Sequence, residues 1–258
     1  MGGTDTLIQL VRRSPLLSAL REGPLDRRDI EARLDVSKPT VHRATKALTE
    51  RGFVERDGSV FRLTRSGRVV AEAAEDFRRT ATAADRLAPL LHAIDDADPT
   101  FDVAVEPFAD ARVTCSEPGH PYRPLNRFMT LVRETDRLRG FDTTTVAPGN
   151  VATIHERIVD GMVTEILYPP GVVEDVLGND PERAREAVES GNLTLGLHES
   201  LPCGLALFDD RVGLGGYDAG TGTLSVFVDT DDPEAYAWGE RTFERYRAAA
   251  TPLTATEG

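Results

Sequence analysis

The sequence predicts a mixed α/β chain in three parts. Residues 1–68 form a small helical head with a hairpin, 69–95 a long linker helix, and 96–258 a larger α/β domain. Three observations carry this. The first seventy residues give helical patterns followed by two short strand-like runs. From Thr64 an apolar seam recurs at alternating spacings of three and four. Beyond residue 100, short runs rich in Val, Leu and Thr alternate with helical stretches. Charge divides the same way: residues 1–70 carry 14 Arg and Lys against 9 Asp and Glu, net +5, whereas 71–258 carry 16 against 34, net −18. A basic head on an acidic body points to a nucleic-acid partner for the head alone.

Composition narrows the class. At 258 residues and 40% hydrophobic content the chain supports two modest cores. No apolar run approaches the ~18 residues of a membrane span, so no membrane partner is expected. No charged segment precedes an apolar one at the start, so no secretory signal is expected. Cys115 and Cys203 lie far apart, which fits two free thiols in a reducing cytoplasm. No Cys-x-x-Cys, His-Glu-x-x-His or nucleotide-loop pattern is present, so neither metal nor cofactor is expected.

In the head, residues 6–21 form a first helix with Leu7, Leu10, Val11, Leu17 and Leu20 inward, kinked or split by Pro15. Gly23-Pro24 ends it. Asp26 caps a second helix, 27–34, that buries Ile30 and Leu34. Asp35-Val36 turns the chain into a third helix, 37–51, capped by Ser37. Pro39 is tolerated in its first turn, where backbone N–H groups lack helical partners. Val41, Ala44 and Leu48 fall on its inner face, leaving Lys38, Thr40, His42, Arg43 and Lys46 outward. These two lysines are the only ones in the chain. Gly52 stops the helix. Phe53-Val54 and Val60–Leu63 then flank Asp57-Gly58, a hairpin signal.

Two short helices joined by a tight turn, then a glycine stop and a hairpin, make a winged helix-turn-helix. The run I-x-x-x-L-D-V-S-x-x-T-V-x-R-x-x-x-x-L-x-x-x-G-F-V, closed by L-T-x-x-G-R, resembles the DNA-binding domains common in archaeal and bacterial transcription regulators. The helix that follows the turn is the one whose first residues reach base edges. The expected DNA-contacting residues are therefore Ser37, Lys38, Thr40, His42, Arg43 and Lys46, with Arg56 and Arg62 of the wing on phosphates.

The linker helix runs from Thr64 to about Ala88. Val70, Ala74, Phe77, Ala81, Ala84, Ala88 and Leu91 make its seam. It either pairs with its copy in a homodimer, the favoured reading, or lies against the C-terminal domain of its own chain. Pro89 and the run 95–99 are expected to end it. In the last domain, strands are expected at 101–105, 111–115, 141–148, 162–168, 192–198, 203–209, 211–217 and 223–229. Helices are expected at 125–139, from Asn150 to Asp160, at 170–177 and 181–190, and at 233–248.

The stretch from PYRP through LPCGLALFDDRVGLGGYD to AYAWGERTFERYR resembles the C-terminal domain of archaeal regulators related to the methanogenesis regulatory protein. The resemblance implies dimerisation and sensing of a small-molecule effector. The acidic, lysine-poor composition resembles proteins of salt-in halophilic archaea. Candidate effector residues are His120, Tyr122 and Arg123 in a Pro/Gly loop, His155 in a helix, and His198 after a strand. The glycine-rich run 213–222 lacks the spacing and lysine of a phosphate loop and reads as strand and turn. Catalysis is not expected. A phospholipase-D-like reaction needs a His-x-Lys pair, and no lysine follows Lys46. The function expected is a sequence-specific, metabolite-responsive regulator of transcription. The alternatives are an architectural DNA-binding protein, or a phosphodiesterase-like C-terminal enzyme with a DNA-targeting head.

Overall fold

The structure is a computed structural model that describes residues 3–97, 100–144 and 148–253. It divides into two compact units, Met1–Thr82 and Ala83–Gly258.

In the first unit the expected first helix is split. α1 (Gly3–Arg12) and α2 (Ser14–Arg21) meet at Arg13, with Pro15 in the first turn of α2, where a proline is harmless. Leu16, Leu17 and Leu20 are buried, but Leu7 and Val11 are 64% and 47% exposed, contrary to expectation. Arg13, at φ −105° and ψ 3°, breaks the helical period, so the apolar spacing does not continue across it. A two-residue strand β1 (Leu25–Asp26) leads into α3 (Arg27–Leu34). Asp26 accepts from the Arg28 and Asp29 N–H groups, and Asp29 accepts in return from Asp26 N–H, a reciprocal cap. Asp35 ends α3 in the left-handed region, φ 50°.

α4 (Lys38–Glu50) follows three residues later. Its end is a Schellman turn: Gly52 N–H donates to Thr49 O and Phe53 N–H to Leu48 O, with Gly52 at φ 73°. β2 (Val54–Asp57) and β3 (Val60–Leu63) form the wing, and β1 pairs with the outer side of β3. Val54, Phe61 and Leu63 point into a core shared with Leu17, Ile30, Val41 and Leu48.

α5 (Arg65–Ala97) is longer than expected, because it runs through Pro89. A proline inside a helix costs ~3 kcal/mol, but Ala83, Leu87, Leu90 and Ile94 around it are all buried. That burial outweighs the lost bond. The buried row is not the expected seam. Leu87, Leu90 and Ile94 join the core of the second unit, so this half of the helix lies against its own chain. Asp98 and Pro99, which were expected to end the helix, fall outside the described residues.

The second unit holds an eight-stranded mixed sheet in the order β11-β7-β6-β5-β8-β9-β10-β4. Its strands are β4 (Arg112–Cys115), β5 (Arg137–Phe141), β6 (Val163–Tyr168), β7 (Leu193–Leu197), β8 (Gly204–Leu207), β9 (Val212–Tyr217), β10 (Leu224–Thr230) and β11 (Thr251–Pro252). β5, β6 and β7 run parallel; β8 turns antiparallel against β5, and the rest follow as antiparallel pairs. The helices are α6 (Arg123–Glu134), α7 (Pro148–Val159), α8 (Pro170–Asn179), α9 (Pro181–Glu189) and α10 (Pro233–Ala249). One core cluster packs α5 and α10 on the sheet, with Phe108, Phe141, Leu207 and Phe243 at its centre. A second lies under α6, α7 and α9, around Met129, Val132, Ile158 and Met162.

Four expectations fail here. Residues 101–105 are not a strand; Phe101 instead packs on Trp238 and Tyr246, and a 3-10 turn, Glu106–Phe108, buries Phe108. The helix expected to reach residue 139 stops at Glu134, and the strand expected at 141–148 is Arg137–Phe141. Thr135 diverts the chain by donating its hydroxyl to Arg137 O. Of the expected strand, residues 145–147 lie outside the described residues. Asn150 is no cap, since α7 already begins at Pro148.

Candidate nucleic-acid interface

Helix α4 turns a polar face to solvent. Lys38, His42, Arg43 and Lys46 are exposed, and no acidic residue sits in its first turn. Thr45 is buried beside the expected inner face of Val41, Ala44 and Leu48; its hydroxyl donates to the Val41 and His42 carbonyls, so its polarity costs little. Ser37 holds the N-cap position but makes no capping bond. Pro39 removes one N–H that could donate to its hydroxyl, and the Thr40 N–H donates to the Ser37 carbonyl instead. The Ser37 hydroxyl lies 3.0 Å from that of Thr40, which makes a two-hydroxyl tip at the helix start.

Two side chains of the basic row are held lightly. Arg43 Nε donates to Pro39 O at 3.3 Å, and Lys46 Nζ stands 3.8 Å from Glu50. Exposed pairs of this kind are worth ~0–1 kcal/mol, so both are free to exchange for a DNA contact. The wing is less free. Arg62 bonds Glu55 at 2.9 Å and lies 3.5 Å from Asp57, while Arg56 donates to Gly58 O at 2.9 Å. The two-residue turn Gly58-Ser59 joins Asp57 to its partner Val60, with Gly58 at φ 60°.

The five effector candidates occupy three separate places in the second unit. His120 and Tyr122 are exposed in the loop after β4, and Arg123 begins α6 in an ion pair with Glu117. His155 on α7 faces Glu186 of α9 at 3.1 Å. His198, after β7, packs its ring at a tilt on Tyr246, with centroids 5.1 Å apart. Among the described residues no hydrogen bond, ion pair or ring contact joins any two of these places.

The sheet brings together a polar centre that pattern reading missed. The carboxyl ends of the parallel strands, where α/β sheets commonly hold ligands, carry Asp142 and Tyr168. Tyr217 at the end of β9 and Cys203 before β8 sit at the same edge. Tyr217 donates its hydroxyl to Asp142 at 2.5 Å, and Thr143 N–H donates to the same oxygen at 2.7 Å. Burial raises the Asp142 carboxyl to about 6, against the pull of these bonds. Burial, and then the nearby carboxylate, push the Tyr217, Tyr168 and Cys203 groups upward. A Cβ on Gly204 would stand 3.3 Å from both Asp142 Oδ1 and Tyr217 Oη, so glycine leaves room for the pair. Nothing in the linear order Asp142, Tyr168, Cys203, Tyr217 marks them as neighbours.

A winged helix-turn-helix unit joined to a mixed α/β unit defines the general class. The family described as methanogenesis regulatory protein FilR1, middle domain, matches residues 121–249. That is half of the chain, and the chain belongs to this family. The family described as HVO_A0261 N-terminal domain matches residues 1–86. The comparison with curated proteins finds no match. Among solved structures, the chain is similar to TrmBL2, an archaeal chromatin protein, at 16% identity over 95% of this chain and 94% of that one, with a TM-score of 0.45. It is similar to NucT from Helicobacter pylori at 13% identity, over 55% of this chain and 98% of that one, TM-score 0.45. It is similar to Nuc from Salmonella typhimurium, a phospholipase D family member, at 12% identity over 56% and 98%, TM-score 0.44. Among the described residues no helix is long and apolar enough to cross a membrane.

Proposed function

We propose that this chain is a cytoplasmic, homodimeric transcription regulator without catalytic activity, whose α4 reads an operator and whose second unit senses a small metabolite. The observation that carries the reading is the exposed row Lys38, His42, Arg43 and Lys46, which is free of acidic neighbours at the helix start. A row of this kind suits the major groove, where Arg or Lys on guanine O6 and N7 gives about 1–3 kcal/mol of discrimination. Membership of a regulatory protein family supports the assignment. A dimer would give two half-site contacts; exposed Phe77 and Val69 on α5, at 59% and 65%, are candidates for its surface. The acidic body suits a cytoplasm rich in potassium salt, where counterion release drives binding weakly and direct base contacts matter more.

The test is genome-wide binding of the tagged protein at native salt, beside Arg43→Ala and Lys46→Ala. A few sharp promoter peaks that contain palindromes, lost in the variants, are expected. A genome-wide smear indifferent to the variants is the signature of an architectural protein and would overturn the reading.

A further inference from the structure

Strand β4 and helix α6 frame an open hollow of about 350 Å³ lined by residues with polar side chains. Arg112 and Thr114 stand two apart on β4, hence on one face of the strand. Arg123, Asn126, Arg127 and Thr130 follow at i, i+3, i+4 and i+7, one stripe of α6. Met129 and Val132, off that stripe, are buried in the core beneath the helix. β4 is the edge strand, so beyond it no further strand fills the space under α6.

The charge is unusual for its setting. Residues 71–258 carry a net −18, yet three arginines converge on this one hollow. Arg127 is anchored: its Nε and Nη2 donate to fully buried Asp229 at 2.9 and 2.6 Å, and Arg211 bonds the same carboxylate at 3.0 Å. That leaves the Arg127 Nη1 group as a fixed donor. Arg123 meets Glu117, which is 54% exposed and easily displaced. Among the described residues Arg112 makes no ion pair within 4 Å. Guanidinium groups, an amide and hydroxyls around one concave space match the oxygens of a phosphate or carboxylate.

We infer that this groove is the effector site, and that the effector is a small metabolite bearing a phosphate or carboxylate, gripped by Arg112 and Arg123 against the fixed guanidinium of Arg127. The inference rests on reading the second unit as a sensor. A volume near 350 Å³ suits a small ligand. The surrounding negative charge opposes a polyanion such as DNA far more than a small anion.

The experiment titrates the full chain in potassium chloride with inorganic phosphate, glycerol 3-phosphate and citrate, and follows thermal unfolding and binding heat. Wild type is compared with Arg112→Ala/Arg123→Ala and Arg112→Lys/Arg123→Lys. Both positions are exposed, so the variants keep the melting temperature of the unliganded protein. At least one probe gives a saturable stabilisation in wild type. Its Kd is at least tenfold weaker in the alanine variant and intermediate in the lysine variant, which cannot bond both oxygens in parallel. Saturation by citrate alone identifies a carboxylate ligand, and saturation by the phosphates alone a phosphate ligand. Phosphate and citrate also stabilise proteins by exclusion from their surface, so an equal, unsaturating shift in wild type and alanine variant overturns the site. So does a loss of duplex-DNA affinity in the alanine variant with no response to any small anion. Operator binding without saturation retains the regulator and removes this site; arginine-dependent saturation without operator binding does the reverse.

Discussion

Two carboxylates in the second unit follow opposite rules. Asp229 is fully buried but bonded by Arg127 and Arg211. Asp229→Ala leaves two guanidinium groups without their shared anion, one of them largely buried. The expected loss is about 3–5 kcal/mol, read by denaturant unfolding. Asp142 is withdrawn from water and bonded only by neutral donors, so its carboxyl rises to about 6. Its folded pKa exceeds the unfolded one, so the native state binds the extra proton between pH 4 and 6. Stability from this residue is present below pH 4 and is lost as pH rises through 6, on the order of 2–3 kcal/mol. Asp142→Asn should flatten that slope; an unchanged slope between pH 4 and 6 would place the titration elsewhere.

At the scale of elements, the wing depends on one close approach. A Cβ on Gly67, in the first turn of α5, would lie 1.8 Å from the Phe53 carbonyl oxygen. Gly67→Ala therefore forces α5 away from the chain entering β2. The expected cost is about 1–3 kcal/mol by far-UV circular dichroism melts, with weakened DNA binding. The reciprocal cap of α3 is a milder case: Asp26→Ala should cost about 1 kcal/mol. The hydroxyl of Ser37 makes no capping bond, so Ser37→Ala should cost a fraction of that. Most of these elements were legible in the sequence because their signals are local. Asp26, Asp35, Gly52 and Asp57-Gly58 act within four residues of themselves. The strands were legible as runs of Val, Leu and Thr, but 101–105 has the same composition and is not one. Phe101 is held instead against Trp238 and Tyr246, residues far along the chain, and composition does not report that packing.

For the whole molecule, the decisive contrast is a basic face presented by an acidic chain. Each phosphate contact made by α4 or the wing should contribute close to one unit to the slope of log K against log salt. Arg56→Ala should lower that slope by about one with sequence preference intact. Arg43→Ala should relax preference at one base pair. An Arg56→Ala protein with an unchanged slope would remove the wing from the interface. Arg62, already paired with Glu55 and Asp57, should matter less than Arg56.

The sequence by itself determined most of the head: the helix pair α3 and α4, their turn, the glycine stop and the exposed basic row, though not the division of the first helix. Each of these rests on short-range capping, turn chemistry or periodicity. It also located the span that belongs to the regulator family, since PYRP and AYAWGERTFERYR bracket the match at 121–249. Only the tertiary structure decided which face of α5 is buried, because Leu87, Leu90 and Ile94 compete with the alanine seam and win by area. It alone gathered Asp142, Tyr168, Cys203 and Tyr217 at one sheet edge, and Arg112 with Arg123 around one hollow. Those groupings are set by strand order, and strand order joins residues that lie tens of positions apart in the chain.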